Sequence, residues 1–527
     1  NSFSDIQAKK TALKETYFMP LKSNSLVYEL NKPAKIDLFL DIRHPYDNSK
    51  WERYHKISSH KNTMILEYRK KGEKQLYLAA SADKIGYINK KESWIRKIYS
   101  YDSERNSDFE KYVFHALSLK ARILVFAASE KKEKAIRKSR KVLENLGKLK
   151  SMQKSYASLA ARKIPKKHTS IAYNCASRSL DSLIVSSKTP GIYAGLPWFF
   201  QFWSRDEAIC LKALMVEKEY SAAKDMLIKQ LSLIGKQGRL PNTQDSYEHH
   251  AAGSSDAIGW HILRWNSLVD MLSKRRSLAR YFSDQEFKSI IRKLSGSLSD
   301  LRNSHCEDDL IISNDKETWM DSIPRKGARI EIQALTLSNY RFISKLTKDP
   351  ELKKAETRLA KKTREEFFKQ SYLWDSPEDP TIRPNIFIAA YSYPQLLKNK
   401  EWERCFDKIL PSLWLSWGGL STIDKKSQEF QNTYTGENPK SYHNGDSWFW
   451  INNLAALVLH KINRIRYKRY ITRILEASTK DILWKQAIAH HAELSSAKQQ
   501  LSQGCPCQGW SSAMYIELID QIQNNNI

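Results

Sequence analysis

The sequence is poor in cysteine, in acidic residues relative to basic ones, and in long apolar runs, and each shortage excludes something. Six cysteines among 527 residues, at 175, 210, 306, 405, 505 and 507, are too few for a disulfide scaffold, and no CxxC pair or regular Cys/His spacing marks a zinc site. A reducing, cytoplasmic compartment is therefore expected, with no metal and no organic cofactor. No stretch offers about 18 consecutive apolar residues, so no membrane-spanning helix is expected. No signal-peptide pattern is present either, in a chain that begins at Asn1 rather than at a methionine.

What is present belongs to a globular protein. Hydrophobic residues make up 41% of the chain and charged residues 28%, with 15 Trp, 25 Tyr and 18 Phe, which excludes disorder, collagen and a coiled coil. The length suits about two to four domains. Against 58 Asp and Glu stand 87 Lys and Arg, a formal charge of +29, so a polyanion is one class of partner to weigh. Basic residues are densest from Lys131 to Lys167, where apolar residues recur at three- and four-residue steps. That spacing predicts a basic linker helix over 129–168 with a solvated face. No RNP, zinc-finger or helix-turn-helix signature accompanies it, and nucleic acid is not the expected partner.

Two textures divide the chain. Up to residue 128, short runs rich in branched and aromatic residues (LVYEL, KIDLFLDI, TMILEYR, QLYLAA, ARILVFAA) alternate with polar connections, the pattern of a β-sandwich. From 169 to 527 the apolar spacing is helical and accounts for ten to thirteen helices. Pro, Gly and Trp gather between these helices, as in GIYAGLPWFFQFWSRD, GRLPN, ETWMDSIPRKG, RPN, WLSWGGLSTID, TGENPKSYHNGDSWFW and LSQGCPCQGWSS. Helical hairpins arranged around a common centre would bring these loops to one mouth, where function is usually held. The fold class expected is α+β and multidomain.

The loops share Trp, Tyr, carboxylates, Arg and amides. Sugar rings stack their C–H faces on aromatic rings and offer hydroxyls to carboxylates, guanidinium and amide groups, so this composition suits a carbohydrate pocket. Hydrolysis of a glycosidic bond needs one protonated carboxyl group and one ionised carboxylate. Asp321 is the acid candidate, because Trp319 and Met320 beside it supply apolar surroundings that raise a carboxyl pKa. For the second carboxylate the residues offer Glu493, Asp446 and Glu437, and composition does not choose among them.

Taken in order, GIYAGLPWFFQFWSRDEA, GRLPN, SSDAIGW, TWMD, EIQAL, RPN, YHNGDSW and GCPCQGWS resemble the C-terminal glucosidase domain of glycogen debranching enzymes, the amylo-α-1,6-glucosidase family, from about residue 170 to 520. The resemblance implies an all-α (α/α)6 toroid over 169–527 behind the N-terminal sandwich of 1–128. It implies an inverting, exo-acting enzyme that removes α-1,6-linked glucose stubs from an α-glucan or oligosaccharide without a cofactor. It places the general acid on Asp321 and the general base on Glu493. It also matches Trp203, Arg205 and Asp206 to a W-x-R-D loop that holds the terminal sugar, and Asp256, Trp260, Trp319, His443, Trp448, Gln508 and Trp510 to the pocket wall. The chain departs from the family pattern at Asn444 and in the order Gln508-Gly509-Trp510-Ser511. A related toroidal glucosidase acting on short α-glucosides or trehalose, and a non-catalytic polyanion binder, are the alternatives.

Overall fold

The computed structural model describes residues 5–10, 13–20, 23–43, 51–103, 108–162, 168–185, 190–244, 253–436 and 438–524. The chain forms two compact units, Asn1–Pro165 and Lys166–Ile527.

In the first unit, eight strands run antiparallel: β1 Asp5–Lys10, β2 Leu13–Phe18, β3 Ser25–Leu40, β4 Tyr54–His60, β5 Thr63–Arg69, β6 Leu76–Ala82, β7 Ile88–Ile98 and β8 Glu110–Ser129. They make one sheet in the order β1-β2-β3-β8-β6-β5-β4, with β7 also on β8. β8 spans both halves, pairing with β7 over Glu110–Leu119 and with β6 over Leu124–Ser129. Irregularities in β3 between Glu29 and Ala34 and between Leu38 and Phe39 increase its local twist. Ile57 of the edge strand β4 belongs to the same buried cluster as Ile36 and Leu40 of β3 and Leu117 of β8. The expected sandwich is one hydrogen-bonded sheet. β7 (INKKESWIRKI) escaped the sequence reading because it is largely exposed and carries four Lys and Arg.

The basic stretch is two helices, α1 Lys132–Glu144 and α2 Leu146–Arg162. Asn145 separates them, its side-chain amide donating to the Lys141 carbonyl at 2.8 Å. α1 buries Ala135, Ser139 and Val142 against β6 and β8 and leaves its lysines in water.

The second unit holds the helices α3 His168–Leu183, α4 Ser204–Val216, α5 Tyr220–Ser232, α6 Ala257–Lys274, α7 Asp284–His305, α8 Ile330–Thr347, α9 Pro350–Phe367, α10 Asn385–Ser392, α11 Asn399–Leu413, α12 Phe449–Asn463, α13 Lys468–Trp484 and α14 Gly509–Asn524. α4 packs on α6, α6 on α8, α8 on α10, α10 on α12, α12 on α14 and α14 back on α4. That closes a ring of six, and the alternate helices pack outside it, giving an (α/α)6 toroid. The inner helices are apolar on nearly every side: every residue of Phe449–Leu459 in α12 is buried. The outer helices are amphipathic, and α11 buries Trp402, Cys405, Phe406, Ile409, Leu410 and Leu413 along one stripe. Close approach inside the ring needs a glycine at 259, where a Cβ would collide with Leu335. Among the described residues no helix is long and apolar enough to cross a membrane.

Candidate active site

The loops that the sequence marked all lead into the N-terminal ends of inner helices, which gathers them at one end of the ring. Trp203 precedes the first turn of α4, which carries Arg205 and Asp206. Asp256 immediately precedes α6. Arg205 Nε donates to both oxygens of Asp256 at 2.8 Å, and its Nη2 donates to Ser254 Oγ at 3.0 Å. Asp256 also accepts the backbone N–H of Trp319 at 2.9 Å. One carboxylate therefore ties three loops together, and the pair is 2% and 1% exposed, so its charges are compensated by geometry rather than by water. Trp319 is held further by its indole N–H, which donates to Asn385 at 2.7 Å. Asn385 in turn donates to Asp375 at 2.7 Å, and Asp375 pairs with Arg325 at 2.8 Å.

These contacts hold Trp319, two residues before Asp321. Burial, with the negative charge of Asp256, pushes its carboxyl group up to about 6, against the pull of Arg205. On the other side, Glu493 is 3% exposed and accepts the phenol of Tyr442 at 2.6 Å on one oxygen and the backbone N–H of Cys505 at 2.8 Å on the other. Asp206 lies in the field of both: burial pushes it up to about 7, and the charges of Glu493, Asp321 and Asp256 add to that against Arg205. Gln508 donates to Asp206 at 3.4 Å.

Aromatic rings form the remaining wall. Trp319 meets His443, Trp448 and Trp450 edge-on at 5.4, 5.6 and 5.0 Å. His443 stacks on Trp448 at 5.1 Å, and burial holds its pKa well below the usual value, so its Nδ1 accepts from the Ser322 hydroxyl at 2.7 Å. Trp510 stacks on Trp450 at 5.0 Å. Trp260 sits behind Trp450, edge-on at 6.3 Å. Among the described residues, the indole N–H groups of Trp203 and Trp510 and the amide oxygen of Gln508 are buried without hydrogen-bond partners.

Of the other carboxylates weighed from sequence, Asp446 is fully buried and accepts the Ser441 hydroxyl at 2.6 Å, and burial pushes it up to about 7. Glu437 lies outside the described residues. Sequence reasoning missed Tyr442, Asn385, Asp375 and Trp450. Tyr442 stands next to His443 in a marked motif, so its position was on view, but a contact 51 residues away in the chain was not. The CxC pair is packing: Cys505 and Cys507 are buried thiols, and Cys505 Sγ donates to the Leu196 carbonyl at 3.1 Å. Among the described residues no group of His, Cys, Asp and Glu is placed to hold a metal ion.

The profile of one protein family, described as amylo-alpha-1,6-glucosidase, matches residues 169–517, more than half of the chain. The chain belongs to the amylo-alpha-1,6-glucosidase family. It is accordingly a glycoside hydrolase, and the matched segment runs from the first helix of the toroid into the last, α14, and includes every residue of the site described above. No curated protein sequence matches the chain significantly. Among solved structures, a bacterial glucoamylase complexed with acarbose is similar over 98% of this chain and 85% of its own, with a TM-score of 0.66 at 12% identity. A glycosidase variant is similar over 68% of this chain and 99% of its own, with a TM-score of 0.52 at 10% identity. At such identities these likenesses speak for the fold, and the family assignment rests on the profile.

Proposed function

We propose that this amylo-alpha-1,6-glucosidase family member is an inverting exo-glucosidase that hydrolyses α-1,6-linked glucose stubs of branched α-glucans, with Asp321 as general acid and Glu493 as general base. The observation that carries the reading is the unlike treatment of two carboxyl groups at one mouth. Asp321 is half-buried and raised to about 6, which suits a proton donor. Glu493 receives two hydrogen bonds, which suits a carboxylate that takes a proton from water. Both carboxyl groups act on one neighbour, since Asp206 feels the charges of Glu493 and Asp321, and inversion calls for a water between acid and base.

In this mechanism the glycosidic oxygen takes the proton of Asp321 as the bond to C1 breaks. Water attacks C1 from the opposite face and gives a proton to Glu493, and β-glucose leaves. Arg205, Asp206 and Gln508 hold hydroxyls of the terminal sugar, with Trp203 and Trp510 beside them. Asp256, Trp260, Trp319, His443 and Trp448 stand behind them and keep the wall rigid. Proton transfer and water attack need no cofactor.

The test is glucose release from a glucosyl-branched maltooligosaccharide, with the anomer read by proton NMR. β-Glucose from the branch, lost by about 10²-fold or more in Glu493→Gln, is the expected result. α-Glucose as first product refutes inversion. Preference for maltose-type α-1,4 glucosides or trehalose in the same panel refutes the linkage, and no release from any of them refutes the glucosidase assignment.

A further inference from the structure

Asp481 lies on the outer helix α13 and is 2% exposed. Its carboxylate accepts from His491 Nδ1 at 2.7 Å and from the Ala492 backbone N–H at 2.9 Å on one oxygen, and from the Ser502 hydroxyl on the other. These three donors bracket Glu493. His491 and Ala492 are the two residues before it, and Ser502 stands on the neighbouring short strand, Ser502–Gln503, which pairs antiparallel with Leu494–Ser495. The strand after Glu493 also pairs with Ser447–Trp448, and Glu493 hangs by its own backbone between them. Its N–H donates to the Cys505 carbonyl at 2.9 Å, and its carbonyl accepts from Phe449 at 3.2 Å. With Nδ1–H given to Asp481, His491 presents Nε2 as an acceptor to the Asn453 amide at 3.3 Å.

A buried carboxylate that takes donors from both arms of a hairpin fixes the separation of those arms, because each donor loses its partner if an arm moves. Here the separation sets where the Glu493 side chain meets Tyr442 and the Cys505 N–H. We infer that Asp481 is a positioning residue for Glu493: through His491, Ala492 and Ser502 it holds the base in reach of the attacking water, and it touches no substrate itself. The inference rests on Glu493 acting as the base. A base displaced by about 1 Å forfeits on the order of 10²-fold in rate while substrate binding is kept.

The experiment compares Asp481→Ala, Asp481→Asn, Ser502→Ala and Glu493→Ala with the wild type on the branched oligosaccharide, with and without added azide. Azide attacks C1 without needing a base: the C1–N bond forms as the glycosidic C1–O bond breaks, the leaving oxygen takes the Asp321 proton, and β-glucosyl azide results. Asp481→Ala is expected to lose kcat by about 10²-fold with KM nearly unchanged, and azide is expected to restore turnover in it as in Glu493→Ala. Asp481→Asn keeps an acceptor for His491 and Ala492 and offers its amide N–H to Ser502 Oγ, so it recovers most of kcat without azide. Where Asp481→Ala does not fold, Ser502→Ala carries the comparison, with a smaller kcat loss that azide reverses. Unchanged kcat in the folded Asp481 or Ser502 variants, with Glu493→Ala inactive, overturns the inference and leaves the base in place. A kcat loss that azide reverses in Glu493→Ala alone also overturns it. A wild type inactive on α-glucosides overturns the function itself, and the inference falls with it.

Discussion

A proton on Asp321 is what the proposed reaction consumes, and the structure sets the pH at which that proton is available. Burial pushes this carboxyl group up to about 6, so the fraction able to donate falls tenfold per pH unit above that value. kcat/KM is expected to decline with a basic limb near pH 6 and to lose that limb in Asp321→Asn, whose residual rate is pH-independent on that side; a pH–rate profile from 4 to 9 reads both. Asp446 gives a contrasting case, a buried carboxyl group pushed up to about 7 with no exposed surface. Its folded pKa lies above the unfolded value of about 3.9, so the native state holds a proton that the unfolded chain has released between these limits. The stability it contributes is fully present below about pH 4 and is lost as the pH rises through about 7. Replacing it by asparagine, which keeps an acceptor for Ser441, is therefore expected to raise the unfolding free energy at pH 8 by on the order of 1–4 kcal/mol, read as a higher melting temperature, with the gain shrinking toward pH 5. Turnover in Asp446→Asn, set against its loss in Glu493→Gln, separates the two carboxylates that composition alone left equivalent.

At the scale of elements, the decisive piece is the hairpin that carries Glu493. Gly504 adopts φ +64°, and a Cβ there would collide with the Glu493 carboxylate. Gly504→Ala is expected to cost about 1–3 kcal/mol of stability and to lower kcat, since the methyl group and the base compete for one space. Thermal melts and turnover on the branched substrate check both. The helices of this unit were legible in the sequence because inner helices such as α12 read as near-continuous apolar segments and outer ones such as α11 as a single stripe. The strands β3, β5, β6 and β8 were legible from branched and aromatic runs, whereas β7 was hidden by its lysines and arginines. The marked loops met at one mouth because each leads into an inner helix. What no local pattern carried was partnership: Tyr442 with Glu493, Trp319 with Asn385 and Asp481 with Ser502 are contacts across 51, 66 and 21 residues. Each exists only because the ring closes and folds its loops inward, so the identity of the base rested on resemblance rather than on the residues themselves.

On the scale of the whole molecule the open quantity is the charge. The toroid keeps much of its negative charge inside, in Glu207, Asp256, Glu317, Asp375, Asp481 and Glu493, all buried, while lysines such as Lys345, Lys348, Lys361 and Lys480 lie on the surface. The formal +29 is therefore weighted toward the exterior, where like charges repel one another and oppose compaction. Surface ion pairs such as Arg466 with Asp407, at 2.6 Å, act in the opposite direction, and both effects weaken as salt shortens the screening length to about 8 Å at physiological ionic strength. The excess of one sign decides the balance: repulsion acts between many cations at once, and exposed pairs are worth about 0–1 kcal/mol each. The melting temperature is expected to rise between 10 and 150 mM sodium chloride, equally in the wild type and in Asp321→Asn, since the catalytic carboxyl group lies outside this exterior charge. Turnover of a neutral glucan is expected to stay flat over the same range, because that substrate brings no charge to be screened. A falling melting temperature would show that the ion pairs outweigh the repulsion. Tight, steeply salt-dependent binding to heparin that blocks turnover would show instead that the cationic exterior serves a polyanion at the mouth of the ring.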